Sequence, residues 1–174
     1  MVNIALTILS ASTIIGDSVE NPQGEDLGNI EDIMIDLDRG IVAYTVVSFG
    51  GVLGIAGKYF AIPWEALRKK PGEHKFIVDI DKKTLLNAPV FDKSKWPGSE
   101  EKAHREHLNM ISEHYGYRSY WERIRETPVE KENPTPGTRI AVLAASDIEG
   151  RSIENPHGEE LGNIINIMIE RYNH

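Results

Sequence analysis

One stretch of sequence occurs twice in this chain. Residues Leu9–Asp36 recur as Leu143–Glu170, with every residue 134 positions after its counterpart and without a gap. Of the 28 aligned positions, 18 hold the same residue. Such identity at a constant offset indicates an internal repeat. The chain therefore contains two related units, which we name copy 1 (residues 9–36) and copy 2 (residues 143–170).

Each copy has the sequence pattern of a β-hairpin. In copy 1, Asn21–Gly24 places proline at the second position and glycine at the fourth position of a β-turn. Ser18–Glu20 is the shorter arm, and Leu27–Leu37 is the longer arm with apolar residues in alternation. Ile30 is out of phase with that alternation, which predicts a β-bulge near residues 31–32.

A glycine in the longer arm is common to both copies. Gly28 and Gly162 occupy equivalent positions inside a predicted strand. Glycine weakens a strand interior, so its presence there predicts a close approach of another backbone.

Three further strands are predicted between the copies. Ile41–Phe49 is the clearest, because β-branched and aromatic residues follow a glycine turn. Lys58–Trp64 ends at a proline, which is typical of a strand end, and His74–Ile80 is the last. A glycine-rich loop lies between the first two strands. Its apolar residues are candidates for contact with a partner: Val52, Leu53 and Ile55.

One helix and a linker follow. Glu100 to Tyr115 has an acidic first turn and is stopped by Gly116, with Ala103, His107, Met110, Ile111 and His114 roughly on one face. The charged, proline-containing stretch 122–138 is typical of an extended linker. We therefore divide the chain into a first domain (1–121), a linker (122–138) and a partial second repeat (139–174).

No set of residues predicts a chemical activity. The chain has no cysteine, and its acids show neither catalytic pairing nor calcium-loop spacing. His104, His107 and His114 resemble a metal site, but only the first two share a helical turn. We expect a protein that is not an enzyme, with no catalytic residues, no cofactor and no metal.

The charge distribution argues against nucleic acid as a direct partner. Net charge is −8, and residues 1–38 hold eight acids and no base, so we expect the first hairpin to be a solvated acidic surface. The first Lys or Arg is Arg39, so no signal peptide is indicated, and no apolar run reaches transmembrane length. We expect a cytoplasmic protein without a membrane span.

Several of these stretches together resemble the PRC-barrel family. They are Leu9–Gly16, Asn21–Asp36, Val46–Gly51, Lys58–Glu65, Asn87–Pro97 and Tyr115–Trp121. The resemblance implies an all-β fold, a small and strongly bent barrel of about six strands, followed by a short helix. We expect its core to include Ile30, Ile33, Ile35, Val42 or Ala43, Val47, Phe60, Ile62, Phe76 and Val78.

Copy 2 matches only the first hairpin of that domain. A lone hairpin is at best marginally stable in water, so its apolar residues need a cover. They form a candidate interaction surface: Leu161, Ile164, Ile167 and Ile169. Copy 2 could pack on its own barrel, pair with a second chain, replace the first hairpin of a second chain, or remain disordered. We expect a homodimer, in which two half-barrels close a composite barrel.

The resemblance also implies a class of function. Barrels of this family occur in the H subunit of the photosynthetic reaction centre and at the C-terminus of a ribosome-maturation factor, where they dock on other macromolecules. We therefore expect a protein-binding or assembly adaptor. The alternatives are an accessory factor for the ribosome or RNA processing, and a protein that binds a small ligand or metal.

Overall fold

The computed structural model describes residues 5–50, 58–91, 101–119, 122 and 142–173. The predicted loop residues Val52, Leu53 and Ile55, and nearly all of the predicted linker, lie outside these ranges. The strands are β1 (Ala5–Ser10), β2 (Ser18–Glu20), β3 (Asp26–Asp36), β4 (Ile41–Phe49), β5 (Tyr59–Ile62), β6 (Leu67–Lys69), β7 (Lys75–Val78), β8 (Val90–Phe91), β9 (Val142–Ala144), β10 (Ser152–Glu154), β11 (Glu160–Asn163) and β12 (Met168–Asn173). The helices are α1 (Ala11–Ile14), α2 (Lys82–Leu86), α3 (Glu101–His114) and α4 (Ala145–Ile148), with a 3-10 turn at Trp64–Ala66.

The first domain is built on one curled sheet. Its strands follow the order β6-β7-β2-β3-β4-β5-β8, and β9 adds to part of β3. Neighbouring strands are antiparallel except for β2 and β7, which are parallel. The prediction of a small all-β barrel with a short helix is therefore confirmed.

Apolar residues on the two faces of this sheet form two separate clusters. The cluster inside the barrel contains the predicted core residues, including Ile33, Val47 and Phe60. The second cluster lies between the sheet and α3, where Tyr44 packs with Leu108. Strands β3, β4 and β5 each contribute residues to both clusters.

The two local features predicted in β3 are confirmed. The pairing of β3 with β4 shifts between Ile30 and Asp32, which is the predicted bulge. Gly28 lies opposite Phe49, and a Cβ atom on Gly28 would be 1.8 Å from the carbonyl oxygen of Ser48. The approach of β4 therefore requires glycine at this position.

Several expectations about individual elements were wrong. Met110, which was placed on one face of α3 with Ile111, is 47% exposed, whereas Ile111 and Leu108 are buried. Strand β6 (Leu67–Lys69), which pairs with β7, was not predicted. Strand β1 begins before the repeat and was not predicted, because its partner lies at the other end of the chain.

Copy 2 packs on copy 1 of the same chain through an exchange of first strands. Strand β1 pairs with β12 of copy 2, so that Leu9 faces Ile169. Strand β9 pairs with β3 of copy 1, so that Leu143 faces Ile35. Leu143 is the counterpart of Leu9, and Ile169 is the counterpart of Ile35. The two ladders are therefore related by an approximate two-fold symmetry within one chain.

Polar contacts obey the same symmetry. The Asn166 side-chain nitrogen lies 3.0 Å from the Ser12 hydroxyl, and the equivalent pair, the Ser146 hydroxyl and the Asp32 carboxylate, is also hydrogen-bonded. Of the arrangements left open by the sequence, this chain adopts the first, in which copy 2 packs on its own barrel.

Candidate interaction surface on copy 2

The four predicted surface residues of copy 2 do not share one environment. Ile169 is buried in the barrel cluster, and Ile164 and Ile167 are half-buried against it. Leu161 is 66% exposed. The cis packing therefore covers three of the four predicted residues at least in part and leaves Leu161 open.

Comparison of the copies identifies three apolar positions that are buried in copy 1 and exposed in copy 2. The pairs, with the exposed fraction of the copy 1 residue first, are Val19 and Ile153 (0% and 45%), Leu27 and Leu161 (6% and 66%), and Met34 and Met168 (4% and 60%). Ile165, whose counterpart is Glu31, is also 90% exposed. Copy 2 thus presents residues with core chemistry at its surface.

The difference between the copies arises at the edge where β4 pairs with β3. In copy 1, β3 is continuous over residues 26–36 and pairs with β4 along its length. In copy 2, the same stretch is divided into β11 and β12, and residues 164–167 are not in a strand. No described strand pairs with this edge of copy 2. We name residues 160–170, with the side chains of Leu161, Ile165 and Met168, the open edge.

Gly162 keeps the conformation that admits a neighbouring strand. Its φ is 142°, close to the 147° of Gly28. A Cβ atom on Gly162 would meet nothing within 4 Å, whereas the position of Gly28 is filled by the backbone of β4. At Gly162, the backbone of the open edge therefore leaves room for a neighbouring strand that no described residue supplies.

The equivalent acids of the two copies also differ in their ion pairs and in their exposure. In copy 1, Glu20 accepts hydrogen bonds from Lys70 (3.1 Å) and Lys75 (3.3 Å), and these lysines lower the pKa of Glu20. The Asp36 carboxylate is buried and lies 2.8 Å from the Arg39 guanidinium. Among the described residues, no ion pair involves the equivalent acids of copy 2, Glu154 and Glu170, which are exposed.

This arrangement corrects the expected acidic surface of the first hairpin. Four of its acids are buried: Asp17, Glu20, Asp32 and Asp36. Their partners include lysines that lie 50 or more residues later in the chain, outside residues 1–38, whose charges were counted in the sequence. Copy 1 still exposes Glu25 and Asp26, whereas copy 2 exposes a larger acidic rim, formed by Glu154, Glu159, Glu160 and Glu170.

Comparison with known proteins supports the resemblance. The family model of the PRC-barrel domain matches residues 7–85, which run from β1 to α2. Residues 7–85 are a PRC-barrel domain. No curated protein matches the chain. The PRC barrel therefore includes copy 1 and the strands that cover it, and copy 2 is attached to this barrel through β9 and β12.

His107 and His114, the histidines of α3 whose side chains are described, have separate partners. The His114 ring nitrogen Nε2 lies 2.8 Å from the carbonyl oxygen of Thr84, and the ring of His107 packs edge-on against Tyr44. The side chain of His104 lies outside the described residues. No group of three potential metal ligands occurs among the residues that the structure describes.

One buried carboxylate of the PRC barrel is held by two bases. Asp17 is 4% exposed and lies 2.8 Å from the Lys69 ammonium and 3.0 Å from His74 Nδ1. Lys69 also donates to the carbonyl oxygen of Glu73 and lies over the ring of Phe76. These contacts join β6 and β7 to the start of β2. The cluster of Asp17, Lys69 and His74 therefore has a structural role.

Some exposed apolar residues of copy 2 were not predicted from the sequence. Ile153 and Met168 are the counterparts of Val19 and Met34, so a comparison of core positions between the copies would have identified them. Ile165 has a polar counterpart, and only its exposure reveals it. None of the described helices has the length and apolar character needed to cross a membrane.

Proposed function

We propose that this protein is a non-enzymatic protein-binding or assembly module and that the open edge of copy 2 is its docking surface. PRC-barrel domains are known as modules of protein interaction and assembly. The observation that carries the proposal is the exposure of Leu161 and Met168, whose counterparts Leu27 and Met34 are core residues. Exposed apolar groups beside an unpaired strand edge favour association with another chain.

A second copy of the chain is one partner that this edge admits. An antiparallel strand edge pairs with an identical edge by a two-fold rotation, which is the commonest symmetry of homo-oligomers. In this form of the proposal, two copies meet at their open edges and Leu161 of each is covered. The homodimer expected from the sequence would then form outside the interface that is already closed within one chain.

Light scattering on the full chain tests the homodimer. If two copies meet at their open edges, the natural sequence has a mass of two chains and Leu161→Gln has a mass of one chain. Leu86→Gln is the matched control, because Leu86 is 47% exposed on α2, away from copy 2. A mass of one chain for the natural sequence over the accessible concentrations would contradict self-assembly.

A cross-linked pull-down from the native cell tests docking on other proteins. The natural chain, Leu161→Gln and Leu86→Gln are used as baits in parallel, and proteins are quantified by mass spectrometry. A specific partner is expected to be lost with Leu161→Gln and retained with Leu86→Gln. If both the captured proteins and the mass of the natural chain are unchanged by Leu161→Gln, the open edge is not the docking surface.

The non-enzymatic part of the proposal has a separate test. Thermal denaturation is measured with a set of metabolites and divalent metal ions. We expect no stabilisation beyond about one degree. A shift of several degrees that disappears on substitution of His107 would instead favour a ligand-binding function.

A further inference from the structure

We infer that the open edge binds an extended segment of another protein by strand addition, and that this segment is apolar, resembles β4 in its pattern, and carries basic residues before its first apolar residue. This inference rests on the proposed docking role of the open edge. Addition of a peptide strand to a free sheet edge is a common mode of peptide recognition.

Copy 1 shows where the residues of such a strand would lie. In the PRC barrel, Met34 faces Tyr44, Ile30 faces Val47 and Gly28 faces Phe49. The same register on copy 2 places the three partner positions opposite Met168, Ile164 and Gly162. An aromatic residue fits opposite Gly162, because Gly162 has no side chain there and keeps the φ of Gly28.

The exposed side chains of copy 2 match a strand that is apolar on both faces. The counterparts of Ile153 and Leu161 pack inside the barrel with Phe49. The counterpart of Met168 packs in the outer cluster with Tyr44. Side chains on one face of a bound strand would therefore cover Leu161, and side chains on its other face would cover Met168.

The exposed acids of copy 2 indicate that the basic residues of the segment lie at its N-terminal end. In the PRC barrel, the buried Asp36 pairs with Arg39, two residues before the start of β4. The equivalent acid of copy 2, Glu170, is exposed and would lie beside the first residue of the added strand. Glu154, Glu159 and Glu160 are also exposed on the hairpin of copy 2.

The same acids disfavour a second copy as the occupant of the edge. Two open edges related by a two-fold axis would bring two acidic rims together, and like charges oppose close association. A basic segment of another protein has no such penalty. The homodimer is therefore an outcome that the tests distinguish from strand addition.

Strand addition also predicts a local change in copy 2. Residues 164–167 are not in a strand, whereas their counterparts 30–33 are held in β3 by pairing with β4. An added strand would supply the same hydrogen bonds. Amide hydrogen exchange at residues 164–170 should therefore slow when the segment binds.

The test uses a fluorescent peptide with the sequence of residues 39–50 and two lysines added at its N-terminus. Its binding to the full-length chain is followed by anisotropy, and a peptide with two glutamates in place of the lysines is the control. We expect the lysine peptide to bind at least about tenfold more tightly, with slowed exchange at residues 164–170. Absence of binding by the lysine peptide would overturn the inference.

Two substitutions in the chain complete the test. Leu161→Gln should weaken binding of the lysine peptide at least about tenfold, and Glu170→Lys should reverse the preference between the two peptides. Leu86→Gln should change neither. Binding that is unaffected by Leu161→Gln would show that the peptide occupies another site, which also overturns the inference.

These outcomes separate the inference from the proposed function. If the pull-down or the mass of the chain depends on Leu161 but the lysine peptide does not bind, strand addition is wrong and the docking surface stands. If the natural chain is a dimer through Leu161, the edge is occupied by a second copy. Strand addition is then wrong, and the proposed docking function stands. If no measurement depends on Leu161, both proposals fail.

Discussion

At the scale of single residues, one arginine of β12, directly after copy 2, is part of the barrel. Arg171 is 8% exposed, its guanidinium lies 4.8 Å from the centre of the Trp64 ring, and Nη1 donates to the carbonyl oxygen of Trp64 at 3.2 Å. Burial lowers the pKa of this guanidinium. A hydrogen bond from a charged group and a desolvated cation–π contact are each worth about 1–3 kcal/mol. Arg171 therefore holds β12 against the 3-10 turn.

Substitution of this arginine should loosen copy 2. We expect Arg171→Ala to lower the free energy of unfolding by at least about 2 kcal/mol, because it removes the ring contact and the hydrogen bond together. Urea denaturation measures this loss. Arg151→Ala is the matched control, since Arg151 is an exposed arginine of copy 2 and should cost under about 0.5 kcal/mol. Equal stability of the two variants would contradict the role of Arg171.

A second residue links stability to pH. Lys70 and Lys75 lower the pKa of Glu20 from its ordinary value of 4.5. A carboxyl group whose folded pKa is depressed stabilises the fold above its unfolded pKa, and this stabilisation is lost as pH falls through the folded pKa. The melting temperature should therefore fall below about pH 4.5, less steeply in Glu20→Gln. The variant Glu106→Gln, which removes an exposed acid of α3, should retain the natural slope.

At the scale of elements, β3 is the strand on which both copies depend. Ile35 pairs with Val42 of β4 on one side and with Leu143 of β9 on the other, and it is 7% exposed in the barrel cluster. The strand therefore carries the core of the PRC barrel and the attachment of copy 2 at the same residues.

Truncation of this side chain should be costly. Ile35→Ala is expected to lower the free energy of unfolding by about 2–5 kcal/mol, as is usual for a buried isoleucine. Ile165→Ala is the control, because Ile165 is 90% exposed and its loss should cost under about 0.5 kcal/mol. A loss below half a kcal/mol for Ile35→Ala, measured by denaturant unfolding, would mean that the side chain is not in the core.

The elements that the sequence predicts correctly are those defined by local chemistry. The hairpin turn, the bulge after Ile30 and the requirement for Gly28 all follow from residues within the same short stretch. The periodicity of a short stretch does not predict contacts with residues far away in the chain. Such contacts include the lysines that pair with acids of the first hairpin and the partner strand of β1. For the same reason, the sequence predicts Leu161 as part of the surface but not Ile165 or Met168, whose exposure depends on how copy 2 packs.

At the scale of the whole molecule, the repeat allows one chain to form the exchanged pair that would otherwise need two. Two copies of one hairpin are related by a two-fold axis when each gives its first strand to the other. Here β1 pairs with β12 and β9 pairs with β3, both in the same register. The chain thus satisfies this interface internally, and no described strand covers the open edge of copy 2.

Engineered cysteines distinguish this arrangement from an exchange between two chains. Ile8 and Glu170 face each other across β1 and β12 and are both exposed, and the natural chain has no cysteine. Facing residues of antiparallel strands have Cα atoms about 4.5–5.5 Å apart, which is within the range of a disulfide. Oxidation of the double variant Ile8→Cys, Glu170→Cys at low concentration should therefore give a cross-link within one chain.

On a non-reducing gel, we expect a single-chain band that migrates faster than its reduced form, and the single variant Ile8→Cys should show no such shift. A disulfide-linked dimer of the double variant, with no internally linked monomer, would mean that β1 and β12 pair between chains, and the approximate two-fold symmetry would then relate copies of different molecules.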